Sequence, residues 1–159
     1  MSCSTAQGLI IQLQNTKQFF LRSISALAEE DSNYAPAKDV YTVAAQVAHT
    51  AITVDWFIDG VFVKGAFDMN FQEHDRQARA VKSLAEAKQM IEAAFANAEK
   101  VVGGKSEAEL FAPIPAQGIM DGAPKMAAIG GIVDHTAHHR GSLAVYTRLL
   151  GKVPPMPYM

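Results

Sequence analysis

Three histidines fall within five residues near the end of the chain, at His135, His138 and His139. Neutral imidazole is a common ligand for zinc, nickel and copper, and histidine rarely clusters on a helix without a reason. A spacing of four residues places His135 and His139 one helical turn apart on the same face. His138 falls to the side of that pair, so we expect it to support a site rather than to ligate a metal.

A further histidine in the first half of the chain is the predicted partner of this pair. His49 lies in the segment TVAAQVAHTAITVDWF, and on a helical wheel it falls in an apolar sector, as His135 and His139 do. The residues that share these sectors are Ala45, Ile52 and Trp56 around His49, and Ile132, Leu143, Tyr146 and Leu150 around the pair. We therefore expect the three histidines to point into the interior of the fold from two helices.

Three convergent imidazoles predict a metal site. Burying them is costly unless their nitrogens find partners, and a divalent ion supplies one. Three protein ligands would leave a fourth position for water or substrate, as in catalytic zinc sites. The sequence has neither the Glu-x-x-His pairs of a di-iron bundle nor the His-Glu-x-x-His of a zinc protease. A metal-free packed cluster is the alternative that the residues leave open.

Several other residues near the predicted site have the chemistry of a binding pocket. Trp56 and Tyr146 are candidates for substrate-binding walls, although aromatic residues in these sectors also serve as core. Asp55 and Asp59 fall outside the histidine sector, so no general base is predicted there. His74 is expected to be exposed in a loop.

Four long helices are predicted to position these residues. Apolar spacings of three, four and seven residues run over residues 5–28, 43–63, 83–101 and about 124–150. A shorter helical turn is predicted at 106–109, and the segment KGAFDMNFQEHDRQARA is too mixed to assign. Since no segment alternates with a period of two, the sequence predicts an all-α fold, an antiparallel four-helix bundle formed by one domain over residues 1–159.

Two glycine-containing features accompany the last helix. Gly130 and Gly131 lie inside it and cost roughly 1 kcal/mol each relative to alanine, which predicts a kink or the close approach of another helix. The preceding loop, residues 111–124, is long and rich in proline and glycine, as loops that line functional sites often are. We expect it to control access of substrate.

The composition limits the possible partners and compartments. The 159 residues carry a net charge of −2 and no cluster of lysine and arginine, which argues against nucleic acid or an anionic membrane as a partner. No apolar run reaches the ~18 residues of a membrane span. The single cysteine, Cys3, cannot form an intrachain disulfide and lies too near the start to be a well-placed nucleophile. A reducing, cytoplasmic location is predicted.

A histidine in the second helix, followed by HTAHHRGSLAVYTRLLGKVPP near the end, resembles the DinB/YfiT-like superfamily of metal-binding four-helix bundles. The resemblance covers nearly the whole chain. Its most specific part is His135-x-x-x-His139-Arg140-Gly141, followed by an aliphatic run and Gly151. Members often carry glutamine two residues after the arginine, where this chain has Ser142.

The resemblance implies one divalent ion per chain, zinc or nickel, held by His49, His135 and His139. It also implies a homodimer and, among characterised relatives, transferases or isomerases that use a low-molecular-weight thiol against a small electrophile. The residues alone are equally compatible with a metal-dependent hydrolase that uses water as its nucleophile. A non-catalytic metal- or ligand-binding bundle, such as a stress-response module, is the alternative from a different class.

Overall fold

The computed structural model describes residues 4–158, and within them the chain is all-α, as the sequence predicts. Cys3 lies outside the described residues. No strand occurs between residues 4 and 158; an isolated bridge between Pro113 and Pro124 is the one β-type pairing there. The helices are α1 (Thr5–Ser23), α2 (Val43–Ile58), α3 (Phe71–Ala80), α4 (Leu84–Gly103), α5 (Glu107–Phe111) and α6 (Ala127–Leu149).

Side-chain caps set where most of these helices begin. The hydroxyl groups of Ser4, Thr42 and Ser83 accept hydrogen bonds from backbone N–H groups in the first turns of α1, α2 and α4. Ser106 and Glu109 form a reciprocal capping box at α5. Such caps satisfy N–H groups that have no partner within the helix, which is why these starts could be read from the sequence.

The four long helices form the bundle. α1 packs against α4 and α6, and α2 packs against the same two helices, so each long helix contacts two others. Their apolar faces build one core, whose largest fully buried side chains include Leu13, Phe20, Ile58, Phe95, Ile129 and Leu143. α2 and α6, which carry the histidines, are therefore direct neighbours.

One predicted helix ends earlier than expected, and another has an unexpected geometry in its last turn. α1 ends at Ser23 rather than near residue 28, because the N–H groups of Ser25 and Leu27 bond to carbonyls only three residues back. A 3₁₀ turn over Glu29–Asp31 follows, and the Asp31 carboxylate accepts the N–H of Ala28 before it. α2 continues to Val63, as predicted, but its last part is a π-helical turn, Asp59–Val63. π turns often mark a place where a helix adapts to its neighbours.

The segment that the sequence left unassigned contains α3. Only Ala78 of its ten residues is fully buried, and most of the others are charged or polar, so few apolar residues mark its inner face in the sequence. Charged pairs stabilise it instead: Arg76 pairs with Glu73, and Arg79 with Asp75. α3 packs against α2, which brings its side chains beside the histidines.

One of the two glycines has a role that the sequence predicts, the close approach of another helix. At Gly131 a Cβ atom would lie 2.7 Å from Cζ of Phe57, so this glycine permits the close approach of α2, whereas nothing lies within 4 Å of a Cβ at Gly130. The loop folds back on itself, since Ile114 N–H donates to the carbonyl of Ala123 and the Ile114 side chain is buried. Along residues 4–158 no helix has the length and apolar character that a membrane crossing needs.

Candidate metal centre

The structure brings together the three histidines that the sequence singled out. Nε2 of His135 lies 3.2 Å from Nε2 of His49 on α2 and 3.1 Å from Nε2 of His139 one turn along α6. One potential ligand atom from each residue lies within 4.8 Å of the others. His139 is 8% exposed, and the other two are partly buried. The group could therefore hold a metal ion.

The nitrogens fit a metal better than they fit one another. A neutral imidazole has one N–H and one in-plane lone pair, so Nε2 of His135 can form only one well-directed hydrogen bond, although it meets two other Nε2 atoms. Nδ1 of His49 and Nδ1 of His135 are buried without a hydrogen-bond partner. Two nitrogens on one tetrahedral zinc at its usual bond length lie about 3.3 Å apart, close to the two observed contacts.

Burial keeps the imidazoles in the form that ligates metals. Desolvation, with a smaller contribution from neighbouring rings, lowers the pKa of His135 to about 4 and the pKa of His139 to about 3. Burial also lowers the pKa of His49. All three rings are therefore neutral at pH 7, with a lone pair available on each.

A glutamine on α2 reaches the buried end of the group. Nε2 of Gln46 lies 3.0 Å from Nδ1 of His139, and the amide is 4% exposed. Gln46 precedes His49 by one turn of the same helix, and this spacing is the signal that sequence reasoning missed. Contacts of this kind hold a ligating histidine in one orientation.

The histidines open onto a cavity of about 1030 Å³ between α2, α3 and α6. His49 and His135 line it, and Trp56, predicted as a pocket wall, lines it as well. Tyr146 does not line it: it is buried in the core, and its hydroxyl donates to the carbonyl of Tyr41 at 3.2 Å. The loop of residues 111–124, expected to control access, contributes no residue to the wall.

α3 adds side chains that the sequence placed elsewhere. His74, expected to be exposed in a loop, is helical, 18% exposed in its side chain, and lines the cavity beside Asp75. Asp75 accepts a hydrogen bond of 2.7 Å from the hydroxyl of Tyr41, whose ring stacks on His49 with 5.1 Å between centroids. Burial, together with Asp75, raises the pKa of Tyr41 to about 12, so its hydroxyl remains a donor.

The carboxylates of the cavity also differ from the expectation. Asp75 and Asp134 both line it, although no carboxylate was predicted beside the histidines. Asp55 and Asp59 lie off this cavity, as expected, but Asp55 is partly buried, contacts Asn97, and has its pKa raised by burial. His138 also lines the cavity, is exposed, and packs edge-on against His139 at 4.9 Å.

A comparison of the sequence with known protein families identifies the family of this helical bundle. The profile of the DinB family matches residues 1–159, the whole chain. The protein belongs to the DinB family. A comparison with curated proteins finds no match.

Membership of the DinB family directs attention to the residues after His139. Ser142 stands where relatives often have glutamine. Its hydroxyl donates a hydrogen bond to the carbonyl of His138, so it bonds within α6. An amide does reach the histidines of this DinB-family chain, but it comes from Gln46 on α2. Arg140 points away from the centre, donating to the hydroxyl of Tyr158 at 3.3 Å.

Proposed function

We propose that this DinB-family protein is a metal-dependent transferase that activates a low-molecular-weight thiol for attack on a small electrophile. His49, His135 and His139 would hold one divalent ion, zinc or nickel. The observation that carries the proposal is that Nε2 of His135 lies at hydrogen-bond distance from Nε2 of both His49 and His139, at the edge of a cavity, although it can form only one of these two hydrogen bonds. A metal ion in such a place supplies Lewis acidity, which lowers the pKa of a coordinated thiol so that it is deprotonated at neutral pH.

The residues of the chain have separate tasks in this proposal. The three imidazoles supply neutral ligands, and Gln46 orients His139 through Nδ1. The apolar wall around Trp56 and Phe57 displaces water from the reacting groups. The cavity is large enough for a thiol and an electrophile together, since small-molecule sites range over about 300–1,000 Å³.

The proposed reaction is a substitution at carbon in which atoms and charge balance. The thiol loses its proton to solvent, its sulfur forms a bond to the electrophilic carbon, and the leaving group departs with the electrons of the broken bond. Thiols of this kind are abundant in the reducing cytoplasm, which is the location we propose for the protein.

Metal analysis tests the first half of the proposal. The untagged protein should contain about one zinc or nickel ion per chain by elemental mass spectrometry, and His49→Ala should lose it. His138→Ala is the matched control, because this histidine is exposed and lies beside the group without joining the Nε2 contacts. Wild-type protein that takes up no ion when divalent metals are added would contradict the metal centre.

A thiol-consumption screen tests the second half. Wild-type protein should join a low-molecular-weight thiol to an electrophile, and His49→Ala should not, while Gln18→Ala, an exposed substitution on α1 away from the cavity, should retain the activity. Loss of substrate without consumption of thiol would identify a hydrolase instead. A stable ion with no turnover of any electrophile would favour the non-catalytic metal-binding module.

A further inference from the structure

The cavity beside the histidines has charged groups of one sign on its wall. Asp75 and Asp134 line it, and none of its lining residues is a lysine or an arginine. Before any ion is bound at the histidines, the side chains of this wall repel anionic parts of a ligand and attract cationic ones.

The two carboxylates differ in whether their charge is already balanced. Asp75 accepts from the Tyr41 hydroxyl and from Nε of Arg79, at 2.7 and 2.9 Å. The Arg79 guanidinium lies over the Tyr41 ring at 4.6 Å and is not part of the cavity wall. Asp134 is exposed, and its carboxylate has no hydrogen bond or ion pair with any residue of the range 4–158. It is therefore the uncompensated charge of the cavity.

Aromatic rings form another part of the same wall. Trp56 and Phe71 line it with ring centroids 6.0 Å apart. The indole is held in place, because its Nε1 donates to the carbonyl of Asp68 at 2.7 Å and Phe67 packs against it at 4.3 Å. Faces of aromatic rings attract organic cations, and the face of tryptophan does so most strongly.

We propose that this cavity binds a small organic ammonium ion with an apolar or aromatic body. The body packs against Trp56 and Phe71, and the ammonium group lies at Asp134. The binding of this ligand is inferred from the cavity itself. Its role as the electrophile of the transfer rests on the proposed function. That electrophile is then a cationic amphiphile rather than a phosphate or carboxylate compound.

Trp56 gives a direct readout, because it is the single tryptophan of the chain. Its fluorescence is titrated at about pH 8, where imidazoles are as a rule uncharged. The probes are 2-phenylethylammonium, its trimethylated form and the neutral 2-phenylethanol. The trimethylated probe has no lone pair for a metal. Both cations should bind about tenfold more tightly than the alcohol, the combined size of one cation–π contact and one exposed ion pair.

Variants separate this site from a general effect of charge. Asp134→Asn should weaken both cations about threefold and leave the alcohol unchanged. Glu30→Gln removes the same charge from an exposed position away from the cavity and should change nothing. Phe71→Leu keeps an apolar side chain and should also weaken the cations about threefold. Because Phe71 is 53% exposed, this change leaves the core intact.

The inference is overturned if the alcohol binds as tightly as the cations, or if Asp134→Asn behaves like Glu30→Gln. Binding of these probes requires neither turnover nor a bound ion. A protein without metal would thus contradict the proposed metal centre while the preference for cations could still be measured.

Discussion

The side-chain amide of Gln46 lies 3.0 Å from Nδ1 of His139, so that α2 and α6 are joined at the buried end of the three-histidine group. Oε1 of the same amide is buried without a partner. When Nε2 of a histidine ligates a metal, its Nδ1 carries the proton and needs an acceptor. An amide that turns its oxygen to Nδ1 supplies that acceptor, and we expect this orientation in the metal-bound protein.

The contact predicts that Gln46→Leu weakens metal binding by about ten- to a hundredfold, the usual effect of removing a hydrogen-bond partner of a ligating histidine. Competition with a chromophoric chelator measures the affinity. Gln18→Leu, an exposed substitution on α1, is the control. Equal affinities in the two variants would show that Gln46 does not orient His139.

The position of Tyr146 predicts a structural effect without an effect on the cavity. Its hydroxyl donates to the backbone carbonyl of Tyr41, and its ring lies in the core. Tyr146→Phe should lower the free energy of unfolding by about 1 kcal/mol in urea denaturation, because one hydrogen bond is lost. Binding of the ammonium probes should not change. A weakened probe affinity in Tyr146→Phe would instead restore the substrate role that the sequence suggested.

The inward direction of the three histidines could be predicted because it depends on helical spacing, whereas their meeting also depends on the packing of α2 beside α6. His135 and His139 share a face through their separation of four residues, and the apolar neighbours of His49 mark the inner face of α2. α3 could not be predicted in this way, because charged pairs stabilise it and only Ala78 is fully buried. The positions of His74 and Asp75 depend on how α3 packs against α2, which no local pattern encodes.

An ion pair between Asp31 and Lys152 predicts a pH-dependent part of the stability. It links the turn after α1 to the chain after α6, and the Asp31 side chain is 7% exposed. Burial raises the pKa of Asp31, but the hydrogen bond from the Ala28 N–H and the charge of Lys152 together lower it by more. The net shift of this pKa is therefore downward. A carboxyl group whose pKa is lowered by folding stabilises the folded protein at pH values above its ordinary pKa. This stabilisation is lost as the pH falls through the folded-state pKa.

Asp31→Asn should therefore lower the free energy of unfolding by about 2 kcal/mol at neutral pH, the size of a hydrogen bond to a charged group. The difference from wild type should shrink as the pH is lowered to about 3. Lys152→Met should destabilise less, because Lys152 is 30% exposed, and Lys82→Met on the surface should have no effect. A difference that stays constant with pH would show that the charge of Asp31 is not responsible.

The two adjacent glycines of α6 predict opposite results for the same substitution. Gly130→Ala adds a methyl group to open space in a helix and should raise the free energy of unfolding by about 1 kcal/mol. Gly131→Ala brings its Cβ within 2.8 Å of two ring atoms of Phe57, so the ring must move. Phe57 packs against Trp56 at 5.0 Å, and both line the cavity. Gly131→Ala should therefore not raise the free energy of unfolding, and it should shift the fluorescence emission of Trp56. Gly130→Ala should leave that emission unchanged. Equal stabilisation with unchanged emission in both variants would contradict this prediction. It would mean that the Phe57 ring moves aside at no cost and is not held in place by its packing.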